Sequence, residues 1–89
     1  MWYYVYVLHD PKQNRFYVGF SEDLDRRVSE HKNGKTKTTS KMSSLGLVYY
    51  EACLSKQDAM KREKELKTGF GRGYIKRRLI NHLNQTMRP

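Results

Sequence analysis

The chain has 89 residues, with 18 lysines and arginines against nine aspartates and glutamates, for a formal charge of +9 and a pI near 9.9. That length fits one domain with a small core, and the charge points to a polyanionic partner. No run is apolar enough to span a bilayer, the N-terminus lacks a signal-peptide pattern, and the lone Cys53 allows no internal disulfide; membrane-spanning and disulfide-stapled classes are set aside and a cytoplasmic setting is expected.

Tyr3 to Leu8 and Arg15 to Phe20 are two strand-like runs, separated by the turn formers of His9-Asp10-Pro11-Lys12-Gln13-Asn14, and they predict a β-hairpin. A side-chain period of two places Tyr4, Tyr6 and Leu8 on one face, with Tyr17 and Gly19 together on one face of the second strand. Ser21-Glu22-Asp23 predicts a helix start with a capping hydroxyl, Leu24 and Val28 recur at i, i+4, and Asn33-Gly34 ends the helix. Arg27 and His31 make a second i, i+4 pair beside that stripe. Lys35 to Ser44 is polar and aperiodic, a predicted mobile loop.

A third strand is expected at about Leu47 to Cys53, where Cys53 reads as a small buried residue. Ser55-Lys56-Gln57-Asp58 resembles a capping box and opens a helix to about Thr68. Gly69-Phe70-Gly71-Arg72-Gly73 reads as a flexible connector, since it follows a helix and lacks the phosphate-loop fingerprints. A last helix runs from about Tyr74 to Asn84, with Ile75, Leu79 and Leu83 as its buried stripe. The expected fold is α+β, a three-stranded antiparallel sheet flanked by helices in the order ββαβαα, one domain over 1–85 with a frayed tail at 86–89.

Several side chains suit chemistry on a phosphodiester. Glu63 shares a helical stripe with Ala59 and Leu66, where a carboxylate is costly unless paired or holding a cation. It reads either as a Mg²⁺ ligand, with water and phosphate completing the shell, or as half of an ion pair. Arg27 offers a guanidinium fork to charged phosphate oxygens, or is an exposed helix arginine, as its neighbour Arg26 is. Tyr6 and Tyr17 are strand aromatics or phenols able to pass a proton, and His31 is a third candidate, as relay or phosphate contact. His9 and His82 read as structural or exposed. Phosphate-backbone contacts are expected from Lys35, Lys37 and Lys41 in the loop, and from Arg62, Lys67, Arg72, Lys76, Arg77 and Arg78 in the helices.

Tyr4-Val5-Tyr6 and Tyr17-Val18-Gly19, running on through Phe20-Ser21-Glu22-Asp23-Leu24-Asp25-Arg26-Arg27, resemble the two name-giving tripeptides and first helix of the GIY-YIG endonuclease family. The likeness continues through His31, Asn33-Gly34-Lys35, Leu47-Val48-Tyr49-Tyr50-Glu51 and Ala59-Met60-Lys61-Arg62-Glu63, and is closest to the small standalone bacterial members. It implies that Glu63 binds the metal, Mg²⁺ with Mn²⁺ as the alternative, and that Arg27 is catalytic. Tyr6 and Tyr17 would share general-base and orienting roles, in an order left open. The implied activity is a structure-selective, strand-nicking endonuclease acting on DNA rather than RNA, of use in DNA repair, as a monomer or transient dimer. The alternative is a nucleic-acid-binding module that kept the fold and lost the reaction. Two departures stand out: Tyr4 replaces the first glycine, and Tyr74-Ile75-Lys76 falls where larger members carry an asparagine. Asn81 either takes over that role or the role is absent.

Overall fold

β1 runs Tyr3–Asp10 and β2 Arg15–Ser21, antiparallel, in a register that sets Tyr6 opposite Gly19 and Leu8 opposite Tyr17. The turn between them closes as its residues dictate. The Lys12 N–H donates to Asp10 Oδ1 at 3.0 Å, and Asn14 takes a left-handed φ of 50°, which asparagine tolerates better than most residues. The computed structural model describes residues 1–32 and 45–86. Asn33-Gly34, the expected loop from Lys35 to Ser44 with its three candidate lysines, and residues 87–89 lie outside the described residues.

β3, Gly46–Cys53, pairs antiparallel with the other edge of β1, with a register shift between Val7 and Leu8. The sheet order is therefore β2-β1-β3. As the central strand, β1 is flanked on both edges and covered on both faces, so every residue from Val5 to Asp10 is buried. Alternation then sorts its side chains. Val5 and Val7 join Val18 beneath α2 (Lys56–Leu66) and α3 (Gly69–Arg78), whose Ala59, Leu66 and Ile75 close the main core. Tyr6 and Leu8 point the other way, toward Leu45, Tyr17 and the Leu24–Val28 stripe of α1 (Leu24–Lys32). Each aliphatic side chain fully buried here contributes about 1.5–3 kcal/mol.

The α+β class and the order ββαβαα stand, with local corrections. The cap of α1 is Asp23, which accepts the Arg26 N–H at 3.1 Å; Ser21 instead closes a small turn on Asp23 N–H and carbonyl at 3.0 and 2.9 Å. The capping box at Ser55 does not form. Its hydroxyl meets Gln57 Oε1 at 3.4 Å, and the side chain caps no helix N–H. The largest difference is the glycine run, which is helix rather than connector. α2 ends at Leu66, Thr68 caps the next helix by accepting the Gly71 N–H at 3.2 Å, and α3 begins at Gly69. A Cβ on Gly71 would collide with the Leu66 backbone and the Glu65 carbonyl, so the glycine is what lets α3 fold back tightly against the end of α2. The last helix is also divided: Leu79, at φ −110°, separates α3 from α4 (Ile80–Thr86), although Leu79 and Leu83 N–H groups still reach back to Ile75 and Leu79 carbonyls.

Candidate active site

Because Tyr6 faces a glycine across the β1–β2 ladder, its ring can lie flat over the neighbouring strand. A Cβ at Gly19 would overlap the Tyr6 hydroxyl, so the glycine clears the space the phenol fills. From there the Tyr6 hydroxyl reaches His31 Nε2 at 2.9 Å, a buried contact across 25 residues of sequence. Tyr17, two pairs further along the ladder and so on the same face, packs its ring 4.8 Å from the imidazole and 6.5 Å from Tyr6. Three ring side chains from β1, β2 and α1 thus meet at one point.

Arg27 lies one turn before His31 on the same helix face. Its Nη1 is 3.8 Å from Glu30 Oε1, while its buried Nε has no hydrogen-bond partner among the described residues. A buried, unmatched guanidinium donor is costly unless something external completes it. Burial, then the neighbouring Tyr17, push the Tyr6 phenol well above its ordinary value, while Arg27 pulls it back and Glu63 and Glu30 add to the rise. Burial, then Arg27, lower the His31 imidazole from 6.5, with Glu30 opposing. At neutral pH the pair is therefore a protonated phenol and a neutral imidazole. In the tautomer that leaves Nε2 unprotonated, the hydroxyl donates and Nε2 accepts.

Glu63, on α2, is one of two acidic side chains, with Glu30, whose charge is felt at Tyr6. Its side chain is 21% exposed, and the exposed Lys67 Nζ lies 3.2 Å from Oε2 in an i, i+4 pair. Among the described residues no cluster of three or more His, Cys, Asp or Glu side chains forms a metal cage. A lone carboxylate suits Mg²⁺, which keeps most of its waters and binds through one or two carboxylates plus phosphate; zinc, which takes three or four protein ligands, does not fit the donors among the described residues.

The expected phosphate-contact residues divide into groups. Lys67, Arg72 and Lys76 line a cleft of about 470 Å³ that begins at Tyr17 and runs between β2 and the α2–α3 corner. Arg77 and Arg78 flank Tyr74 on another part of the surface. Arg62 is placed differently. Its Nε and Nη2 grip both oxygens of Glu51 at 2.9 and 3.0 Å, Nη1 meets Glu65 at 3.2 Å, and its guanidinium sits 4.7 Å over the Tyr74 ring. Burial would raise the Glu51 carboxyl, but its bonds from Arg62 and Tyr49 hold it below the usual range, and Glu51 in turn raises Arg62. Arg62 is thus a framework residue tying α2 to β3. The residue reading missed Glu51, the Tyr49–Glu51 bond of 2.8 Å and the Tyr49–Tyr74 contact of 3.4 Å. Glu30 beside Arg27 and Arg15 in the cleft were also missed. Asn81 is exposed on α4, and His9 is buried against Phe16 with Nε2 donating to Asn14 Oδ1 at 3.1 Å.

Comparison with known proteins gives a consistent result. Residues 2–75 match the GIY-YIG catalytic domain. The UPF0213 protein SSP2268 of Staphylococcus saprophyticus is 36% identical over 67 residues, covering 74% of this chain and 80% of that protein. The UPF0213 protein SH2523 of Staphylococcus haemolyticus is 39% identical with the same coverage. The solution NMR structure of the UPF0213 protein BH0048 from Bacillus halodurans is 40% identical, covers 75% of this chain and 71% of that one, and superposes with a TM-score of 0.47.

Proposed function

The chain belongs to the GIY-YIG catalytic-domain family, a family of nucleases, and from that premise we propose that it is a Mg²⁺-dependent endonuclease that cuts one strand of structured DNA at a time. The observation that carries this reading is the buried Tyr6–His31 hydrogen bond beside the unmatched Nε of Arg27. In hydrolysis the phosphate is attacked by water, which must lose a proton, while negative charge grows on the non-bridging oxygens. Tyr6 supports the first need. Its own proton is committed to the neutral His31, so its oxygen can accept the proton of the attacking water as it passes its own to Nε2. The water O–H bond breaks, a phenol O–H bond re-forms, the imidazole becomes an imidazolium, and the water oxygen bonds to phosphorus as the leaving oxygen departs. Glu30 lies where it favours that imidazolium. Tyr17 borders both partners and orients the water.

Arg27 supports the second need, offering the donors that the described residues leave unmatched to the charged phosphate. Glu63 would hold the divalent ion, with Lys67 released from its exposed pair. That ion, when bound, supplies positive charge against the phosphate and the departing oxygen. With a single site of this kind among the described residues, one strand is cut per encounter.

The test is incubation with labelled blunt duplex, nicked, flapped and single-stranded DNA, and the matching RNAs, in Mg²⁺ or in EDTA. Discrete cleavage of one strand in Mg²⁺ and none in EDTA is expected. Binding to the panel without cleavage of any member in Mg²⁺ or Mn²⁺ contradicts the nuclease reading and leaves a binding module of the same fold.

A further inference from the structure

We infer that the cleft beside Tyr17 is a seat for an unpaired nucleotide strand, and that it selects substrates with a single-stranded arm next to the bond to be cut. The inference rests on the nuclease reading for the bond that is cut, but not for what the cleft holds.

The cleft has two unlike parts. Its rim carries four cations from three separate elements: Arg15 of β2, Lys67 at the end of α2, and Arg72 and Lys76 one turn apart on α3. Its walls include Phe16 and Tyr17, both half-buried, above the buried Leu66 and Ile75. Among the described residues no acidic side chain lines it, and Glu63, outside the lining, pairs with Lys67. At about 470 Å³ it lies within the range of roughly 300–1,000 Å³ typical of pockets that enclose a small ligand.

A duplex carries its phosphates outside and its bases stacked inside, so it would touch the rim and leave the apolar floor unused. A free monophosphate would use the rim alone. An unpaired strand matches both parts, with phosphates on the cationic rim and a base against aromatic and aliphatic walls, the pairing that single-strand binders use. Tyr17 borders both this cleft and the Tyr6–His31 pair, so a strand seated here would run directly to the reacting phosphate. Gly71 shapes the site as well, since the close α2–α3 turn it permits brings Arg72 and Lys76 opposite Arg15.

The test is fluorescence anisotropy in EDTA, with labelled oligothymidylate and a blunt duplex of equal length, on the whole chain. Arg15→Glu/Arg72→Glu should weaken oligothymidylate by about tenfold or more, the scale of losing charged hydrogen bonds, and weaken the duplex, which meets the rim alone, by a clearly smaller factor. The single-strand salt slope should flatten by roughly 1.4, from about 0.7 for each of two lost phosphate contacts. Both positions are exposed, and circular dichroism with the milder Arg15→Gln/Arg72→Gln pair separates a binding loss from a folding loss. Arg77→Glu/Arg78→Glu, outside the cleft, should weaken both ligands alike. Equal losses on duplex and single strand in the cleft variant, or no loss on oligothymidylate, overturn the assignment. Selective strand binding without any cleavage in Mg²⁺ would count against the nuclease reading while supporting the cleft.

Discussion

Gly19 is the residue on which the site geometry turns. A methyl group there must displace the Tyr6 ring, which is buried and tied to His31. Gly19→Ala is therefore expected to cost about 1–3 kcal/mol in stability, the usual range for overpacking, and to lower kcat far more than that loss explains; an unchanged kcat would show that the Tyr6–His31 bond is incidental. Arg27→Ala should reduce cleavage by more than about a hundredfold, a loss of roughly 3 kcal/mol of transition-state stabilisation, whereas the exposed Arg26→Ala should do little. Equal, mild effects would remove Arg27 from the reaction. The His31 imidazole gives a pH signature. Burial and Arg27 lower its pKa from 6.5, so cleavage should rise as pH climbs through that lowered value and be level by neutrality. The unfolded chain binds this proton first, so stability should fall as pH drops below about 6.5. Arg27→Gln removes a cation and should move the imidazole back upward in an NMR titration; a downward or absent shift would contradict the electrostatics. Strand period and helix spacing placed Tyr6, Tyr17 and Arg27 on their elements and the family resemblance proposed their roles, but the hydrogen bond joining Tyr6 to His31 depends on a ring rotamer that no spacing encodes.

Two elements show where the sequence misleads and why. The run Gly69-Phe70-Gly71-Arg72-Gly73 has poor intrinsic helix propensity and reads as a connector. Tertiary packing overrides that preference, because only glycine at 71 allows the close approach to α2, and Thr68 supplies the cap. The hairpin, α1 and the α2 stripe were legible, since amphipathic period and turn residues agree with the final packing. The same stripe put Arg62 on the outer side, where a basic residue reads as a phosphate contact. Its partner Glu51 sits on a strand 11 residues earlier, and cross-element pairs of this kind leave no local pattern. Arg62→Ala should remove a half-buried bidentate pair and cost about 2 kcal/mol, lowering Tm by roughly 8–16 °C for a domain this size. As a framework residue it should leave the duplex-binding salt slope unchanged; a slope flatter by about 0.9 would restore it to the phosphate contacts.

Across the whole molecule, charge and chemistry are arranged on one small sheet. The central strand carries the phenol and the helix packed on its Tyr6 face the imidazole and guanidinium, while α2, on the opposite face, brings the carboxylate and α3 much of the cationic rim. No helix among the described residues is long and apolar enough to cross a membrane, and the excess of positive charge is explained by a polyanionic substrate. Within this arrangement Glu63 has two possible partners, Lys67 and a divalent ion. The pair with Lys67 is exposed on the lysine side, and such pairs are worth about 0–1 kcal/mol. The measurement that decides between the partners is single-turnover cleavage by Glu63→Gln, taken beside its DNA affinity and its melting curve with and without Mg²⁺. Cleavage should stop, affinity should hold or rise slightly, and the metal-free melting temperature should stay close to that of the natural protein. A Glu63→Gln protein that melts lower in both conditions and still cleaves DNA would contradict the metal-dependent nuclease account.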